Sequence, residues 1–318
     1  MIKTGLYYNK NENIESVLDA IHNVYEMNIV GIYSNTNISD SEREIIQKYK
    51  LNIFEDYNNF LSKSDAIISL SSQENLSDLE FAIKKLKHIY LYPDFDLKIK
   101  DIERLNKLSK EADVKVQITS TNVEYNDAFY ITKKQIKEIS FIETNYYKNI
   151  IDKDVFEELL RMLFNSIDTI LSIEKSRIRR VEVKINSNEY EKPSIINVRL
   201  YFYNSCYANI IVGNSAIKQT HQVCFYGTRN CVDIDILKNK AWFIQKKNKN
   251  TEKNLFSENI GELLVEPILE RNSNRYLDGI KSFAQAILTN KRTEIDLDDF
   301  LKYHYLQNEI KQKIMING

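Results

Sequence analysis

Apolar residues in the first third of the chain alternate between two patterns. Continuous runs at Ile2–Tyr8, Asn28–Tyr33 and Asp65–Leu70 predict buried strands. Between them Ile14, Val17, Leu18, Ile21 and Val24 recur at steps of three and four, which predicts a helix over Ile14–Tyr25. Ser39 and Ser41 are each followed three residues on by a glutamate, Glu42 and Glu44. They open a helix reaching about Tyr49. Ser77 and Glu80 form a third such box, in a helix that groups Leu76, Leu79, Ile83 and Leu86. A strand at His88–Leu91, a helix at Ile99–Ala112 and a strand at Val114–Ile118 complete the series. Strands apolar throughout, alternating with helices, predict a parallel sheet covered on both faces. Ligands of such sheets bind beyond the carboxyl ends of the strands, here the loops after Tyr8, Tyr33, Leu70 and Leu91.

The pattern changes near Thr121, which divides a Rossmann-like domain at 1–120 from a second domain at 121–318. Strand signals now follow one another: Ile139–Tyr147, Val181–Ile185, Ile195–Tyr203, Tyr207–Val212, Gln222–Tyr226, Val232–Ile236 and Ala241–Gln245. Several alternate polar and apolar residues, which predicts a large, mostly antiparallel sheet with one open face. A long helix at about Asp154–Glu174 interrupts them. Two more, at about Ile268–Leu288 and Leu297–Ile314, close the chain and pack back on the first domain. Asp296 is placed to cap the last, and Lys246–Asn259 reads as a mobile loop.

Composition narrows the classes. The 318 residues are 43% hydrophobic and 28% charged, with a net charge of −1. That balance supplies no field for nucleic acid, and no apolar run is long enough for a membrane span. The basic stretch Lys246, Lys247, Lys249 and Lys253 lacks glycines or stacking aromatics and reads as a solvated loop. Met1 leads directly into a strand signal without room for a signal peptide, so the expected compartment is the cytoplasm. Cys206, Cys224 and Cys231 fit a reducing compartment and read as small apolar residues on strands. They form no metal-ligand spacing, and no metal site is expected. Only 7 glycines occur, far below the usual ~7%.

Segments in a fixed order carry a resemblance over almost the whole chain. They are SDAIISLSSQENLSDLEFAIKKLKHIYLYP, KEADVKVQITSTNVEYNDAF, FEELLRMLFNSIDTILSI, FYGTRNCVDIDI and YLDGIKSFAQAILTNKRTEIDLDDFLKYHYLQNEI. Together they resemble the Gfo/Idh/MocA family of nicotinamide-dependent dehydrogenases. The resemblance implies NAD or NADP as cofactor if the protein is active. It also implies a sugar-like or anionic ligand at the interdomain cleft, and a homodimer formed through the second sheet.

The departures from the family pattern fall on its chemistry. Where the family has G-x-G-x-x-G, this chain reads Tyr8-Asn9-Lys10-Asn11-Glu12-Asn13, so Tyr8, Lys10 and Asn13 replace the glycines that let backbone N–H groups reach the pyrophosphate. Lys10 can offset Glu12 as a point charge on phosphate; a plain solvent loop is the other reading. Ser34 stands in place of the ribose-binding acid and Ser71 at a further cofactor position. Arg43 is the one cation close to Ser34 in sequence, weak support for NADP over NAD. Tyr92 replaces the family's catalytic lysine, either as a proton donor or as an aromatic beside the turn at Pro93. On the long helix, Arg161 and Asn165 replace the family's aspartate and histidine, and Asp168 follows. With Glu157 they share one face, while Leu160, Leu163, Ile167, Ile170 and Leu171 share the other. Arg161 reads either as a clamp on a carboxylate or phosphate or as the partner of Glu157. The family's crossover arginine falls near Glu124, a reversal of charge. His221 lies on a strand, facing the cleft or at the edge of the core. Two functions are consistent with these residues. One is a pseudoenzyme that binds a ligand or assembles; the other is an active NAD(P)-dependent oxidoreductase with a rebuilt site, Tyr92 its acid and Arg161 its clamp.

Overall fold

The computed structural model describes residues 1–8, 14–69, 76–91, 98–118, 126–151, 154–187, 193–215, 217, 219–246, 258–260, 263–268 and 276–317. The chain divides into two compact units, Met1–Val123 with Ser273–Tyr305, and Glu124–Asn272 with Leu306–Gly318. The first unit opens with β1 (Ile2–Tyr7), α1 (Ile14–His22), β2 (Met27–Tyr33), α2 (Asp40–Lys48), β3 (Ile53–Phe54), α3 (Tyr57–Lys63), β4 (Ala66–Ser69), α4 (Leu76–Lys84), β5 (His88–Leu91), α5 (Ile99–Glu111) and β6 (Val116–Ile118). The second contains α6 (Asn126–Gln135), β7 (Ile139–Lys148), α7 (Val155–Ile173), β8 (Ile178–Ser187), β9 (Pro193–Phe202), β10 (Tyr207–Asn214), β11 (Thr220–Gly227), β12 (Asn230–Asp235), β13 (Lys240–Lys246), β14 (Glu258–Ile260) and β15 (Leu263–Ile268). Then follow α8 (Leu277–Leu288) in the first unit and α9 (Leu297–Asn317), which is divided between the two. Among the described residues no helix is long and apolar enough to cross a membrane.

The first sheet has the order β3-β2-β1-β4-β5-β6 with every pair parallel. The order reverses between β1 and β4, which makes their carboxyl ends the natural place for a ligand. One face packs Leu6, Ile32 and Ile68 against Val17 and Ile21 of α1 and Ile280 and Phe283 of α8. The other packs Tyr7, Ile67 and Ile89 against Phe60 of α3, Leu79 of α4 and Ile102 of α5. Close approach decides two glycines. A Cβ on Gly5 would lie 2.5 Å from the Phe60 ring, and one on Gly279 would lie 2.3 Å from the Tyr90 hydroxyl. The scarce described glycines serve packing of this kind.

The second sheet has nine strands in the order β14-β15-β13-β12-β11-β7-β10-β9-β8. Its pairs are antiparallel except β7 with β10. Leu159, Leu163, Ile167 and Ile170 of α7 are buried, as are the alternate strand residues Ile196, Val198, Ile210, Val212, Val223 and Phe225. The other set of alternate residues forms the open face.

The mixed architecture matches the pattern of the sequence, with local differences. The short elements β3, α3, α6, β14 and β15 carry too few periodic residues to announce themselves. α3 depends on a cap at Asp56, whose side chain accepts from Asn59 N at 2.6 Å, and on burial of Phe60 and Leu61. The helix expected from Ile268 starts at Leu277 instead, because Ile268 pairs with Ala241 as the end of β15. Ser77 lies inside α4, and the Glu80 carboxylate accepts from Arg104 at 2.7 Å rather than closing a capping box. Of the stretch expected to be a mobile loop, residues 247–257 lie outside the described residues, while 258–260 pair with β15. Cys206 lies just ahead of β10 and not on a strand.

Candidate functional site

The strand ends of the first unit are filled by its own side chains. Tyr8 N donates to Tyr33 O at 2.9 Å, which carries the chain out of β1 beside the end of β2. The Tyr8 side chain then turns inward, where the residue is 2% exposed, among Ile14, Leu18, Ile38 and Ile46. Its hydroxyl donates to Glu42 Oε1 at 2.6 Å. The other carboxylate oxygen of Glu42 accepts from Ser39 N and from Ser39 Oγ, each at 2.6 Å. Glu42 is thus both the third residue of α2, closing its capping box, and the anchor of the residue that replaces the first motif glycine. Ser34 is spent on a local turn: its hydroxyl donates to Thr36 O at 3.0 Å and accepts from Thr36 N at 3.2 Å.

On the opposite face of this sheet, Tyr7, Tyr33 and Tyr57 form a triangle with ring centroids 5.1, 5.3 and 5.8 Å apart. Phe60 and Phe81 extend it. Burial raises the pKa of the Asp78 carboxyl, against the opposing influence of the nearby Tyr7 hydroxyl. Burial, with Asp78 and Asp56 nearby, raises that of Tyr33. Among the described residues at these strand ends, the Tyr8 hydroxyl and both donors of Ser39 are already held by a carboxylate, and Ser34 is engaged in its own turn. Asn9, Lys10, Asn13, Ser71, Tyr92 and Glu124 lie outside the described residues.

In the second unit the polar stripe of α7 stands as the spacing predicts. Glu157 and Arg161 are exposed, Asn165 and Asp168 half-buried. Leu171, expected on the apolar face, is half-buried too. The ion pair differs from expectation. Arg161 grips Glu158, not Glu157, through Nε at 2.9 Å and Nη2 at 2.6 Å, and Lys148 Nζ adds a third contact at 2.8 Å. Glu158 lies on the buried side of the helix at 7% exposure, where a carboxylate needs partners, while Glu157 is exposed. The two cations hold Glu158 down to a pKa of about 2. Glu157, Glu158 and Arg161, with Phe164 and Lys311, line an open groove of about 460 Å³.

Beside this stripe His221 is 8% exposed and stacked on Tyr146, with centroids 3.9 Å apart and planes 5° from parallel. Burial pushes its pKa down to about 4, so it is neutral at neutral pH. It belongs to the edge of the core, the blander of the two readings of the sequence. The thiols are free; burial raises the pKa of Cys206 to about 12 and those of Cys224 and Cys231 likewise upward. Among the described residues no group of three or more metal-ligating side chains gathers. Sequence reasoning missed Glu158, Lys148 and Tyr146; the one available signal was the clustering of acids in the first turn of α7.

No family model and no curated protein matches this sequence. Solved structures do. A dehydrogenase (MviM) from Clostridium difficile superposes with a TM-score of 0.74 at 14% identity, covering 98% of this chain and 99% of that one. UDP-N-acetylglucosamine 3-dehydrogenase GnnA from Acidithiobacillus ferrooxidans gives 0.71 at 12% identity over 98% and 97% of the two chains. Scyllo-inositol dehydrogenase from Lactobacillus casei gives 0.62 at 17% identity over 98% and 95%. These neighbours are Gfo/Idh/MocA-type dehydrogenases, and the present chain shares their fold.

Proposed function

We propose that this chain, with the fold of those dehydrogenases, is a divergent homologue that has lost hydride transfer and works as a ligand-binding or assembly protein. The observation that carries the reading is the buried Tyr8 ring with its hydroxyl on Glu42, at the point where a dinucleotide fold opens its phosphate turn. The stripe on α7 supports it. Asn165 cannot shuttle protons, and Arg161, permanently charged, is engaged with Glu158. What remains is a polar, charged surface suited to holding a sugar-like or anionic molecule.

The aromatic row on the open face of the second sheet, apart from its β8 edge, is the assembly surface in this reading. Phe141 stacks between Tyr207 at 4.7 Å and Tyr226 at 5.4 Å, and Tyr201 continues the row beside Tyr207 at 6.3 Å. A half-exposed aromatic row across four strands suits a homo-oligomer. Its partner is a second copy of the chain, in the cytoplasm, with neither membrane nor nucleic acid involved.

A second reading keeps the enzyme. The parallel sheet retains the strand order on which nicotinamide nucleotides bind, with its reversal point intact. An active protein would use NAD or NADP, with Tyr92 as acid. Titration with NADH and NADPH, followed by nucleotide fluorescence, separates the two. No saturation at millimolar nucleotide is the expected result; micromolar binding would overturn the pseudoenzyme. If turnover is then found, unchanged turnover in Tyr92→Phe removes that tyrosine from the mechanism. A monomer in sedimentation equilibrium would remove the assembly role.

A further inference from the structure

We propose that the β8–β9 end of the second unit holds a binding site for a phosphate monoester, separate from the α7 stripe and from the strand ends of the first unit. A groove of about 540 Å³ opens there, lined by Val181, Glu182, Val183, Lys184, Asn197, Arg199, Lys313 and Ile316. β8 is the outermost strand of the sheet, and α9 supplies Lys313 and Ile316.

The charges in this groove are arranged against the usual pairing rule. Glu182 and Arg199 stand directly opposite in the β8–β9 register, where unlike charges normally bond. They do not. Glu182 is drawn away by Arg180 on its own strand and by the Tyr201 hydroxyl at 2.9 Å. Arg180 is held over the Tyr201 ring at 5.6 Å, which fixes that alternative. Among the described residues Arg199 is left with one hydrogen bond, Nε donating to Asn209 Oδ1 at 3.3 Å. Asn197 Nδ2 donates to the same oxygen at 3.1 Å. Anchored through Nε, the guanidinium keeps its two Nη groups for a ligand, the fork that suits phosphate and carboxylate. Lys184 lies diagonally across the two strands from Arg199, about 7–8 Å away by sheet geometry. Among the described residues it too has no acidic partner. Lys313 Nζ, by contrast, is already committed, to Val181 O at 2.8 Å and to Glu309 at 2.9 Å.

Two cations without an acidic partner among the described residues match a charge near −2. A phosphate monoester carries about −1.5 to −2 at neutral pH, a carboxylate half that. Ile316, 81% exposed, adds apolar surface at the groove's rim. An ester with an apolar or aromatic body fills the groove better than inorganic phosphate alone.

The test compares phenyl phosphate, inorganic phosphate and benzoate on the full chain by isothermal titration calorimetry. Phenyl phosphate should bind saturably, inorganic phosphate more weakly, and benzoate weakest. Arg199→Gln should weaken phenyl phosphate roughly tenfold and Lys184→Gln several-fold. Glu182→Gln, which removes the one carboxylate lining the groove, should tighten it. Lys107→Gln, on α5 of the first unit, should change nothing. Benzoate binding as tightly as phenyl phosphate, or an Arg199→Gln protein that melts normally and binds unchanged, overturns the site. If Arg199→Gln does not fold, the opposite responses expected of Lys184→Gln and Glu182→Gln decide it, and equal responses overturn it.

Discussion

At the end of β1 the Glu42 carboxylate takes up the hydroxyl of Tyr8 and both donors of Ser39. On the open face at β8 the Glu182 carboxylate is bound away from the arginine opposite it, and Arg199 and Lys184 face a groove without an acid of their own. The first region lies at a strand end beside the reversal point of the parallel sheet, and the polar groups of Tyr8, Ser39 and Glu42 bind one another. The second occupies no such position, and its polar groups are left for something else. The difference shows how a fold and its site separate. Core packing keeps the strand order, while the polar residues at the strand ends are under no such constraint and can be turned to internal use.

Tyr8→Gly, which places a glycine where the family this sequence resembles has one, should have the largest effect. It removes a ring that is 2% exposed and strips one donor from Glu42. Truncating a buried aromatic costs about 3–5 kcal/mol, and glycine adds backbone entropy to the unfolded chain. Chemical denaturation should show that loss, with no gain in nucleotide affinity. Near-native stability together with new NADH binding would mean that Tyr8 is a plug rather than part of the core.

His221 sets the next effect, in the second unit. Its pKa falls from 6.5 to about 4 on folding, so the unfolded chain binds the extra proton first as pH drops. The stability that the neutral ring supports is complete above 6.5, declines below it, and is gone once pH passes about 4. The loss amounts to roughly 3 kcal/mol at 1.36 kcal/mol per unit. Denaturant midpoints measured across that window should fall in the wild type and flatten in His221→Phe, which keeps the stack on Tyr146.

Arg161→Gln should cost less, about 1–2 kcal/mol, because Arg161 is largely exposed and Lys148 still holds Glu158. The sign of its pH dependence follows from the depressed carboxylate. The contribution of Glu158 is present above its ordinary value of 4.5 and lost as pH falls through about 2. In the variant the loss should start at the same pH but be smaller and complete at a higher pH. An unchanged acid limb would show that Lys148 alone carries the effect.

Much of this was legible in the sequence, and the rest was hidden for physical reasons. Long apolar runs such as Ile2–Tyr7 and the regular spacing of α7 state their partners' geometry directly, so both sheets could be read. Ser39 and Glu42 announced a capping box three residues apart. That the same carboxylate also binds Tyr8, 34 residues away, depends on how β1 and α2 pack and leaves no local mark. The choice between Glu157 and Glu158 for Arg161 turned on burial, since spacings of four and three on a helix are equally suited to an ion pair. Helix periodicity places both acids near the arginine and does not say which one needs it.

Ser34 gives the smallest effect and the narrowest test of the closed strand ends. Its hydroxyl is engaged with Thr36 only, in an exposed turn after β2. Ser34→Ala should therefore change stability by no more than about 0.5 kcal/mol. Ser34→Asp returns the acid that grips ribose in related folds, and an aspartate can rebuild the same turn through its own carboxylate. If the missing acid were the sole obstacle to a nucleotide, Ser34→Asp would bind NADH. If the obstacle is the Tyr8–Glu42 bond one strand away, the variant will fold like the wild type and show no fluorescence change, because a second carboxylate at these strand ends only adds to the charge that a diphosphate must meet.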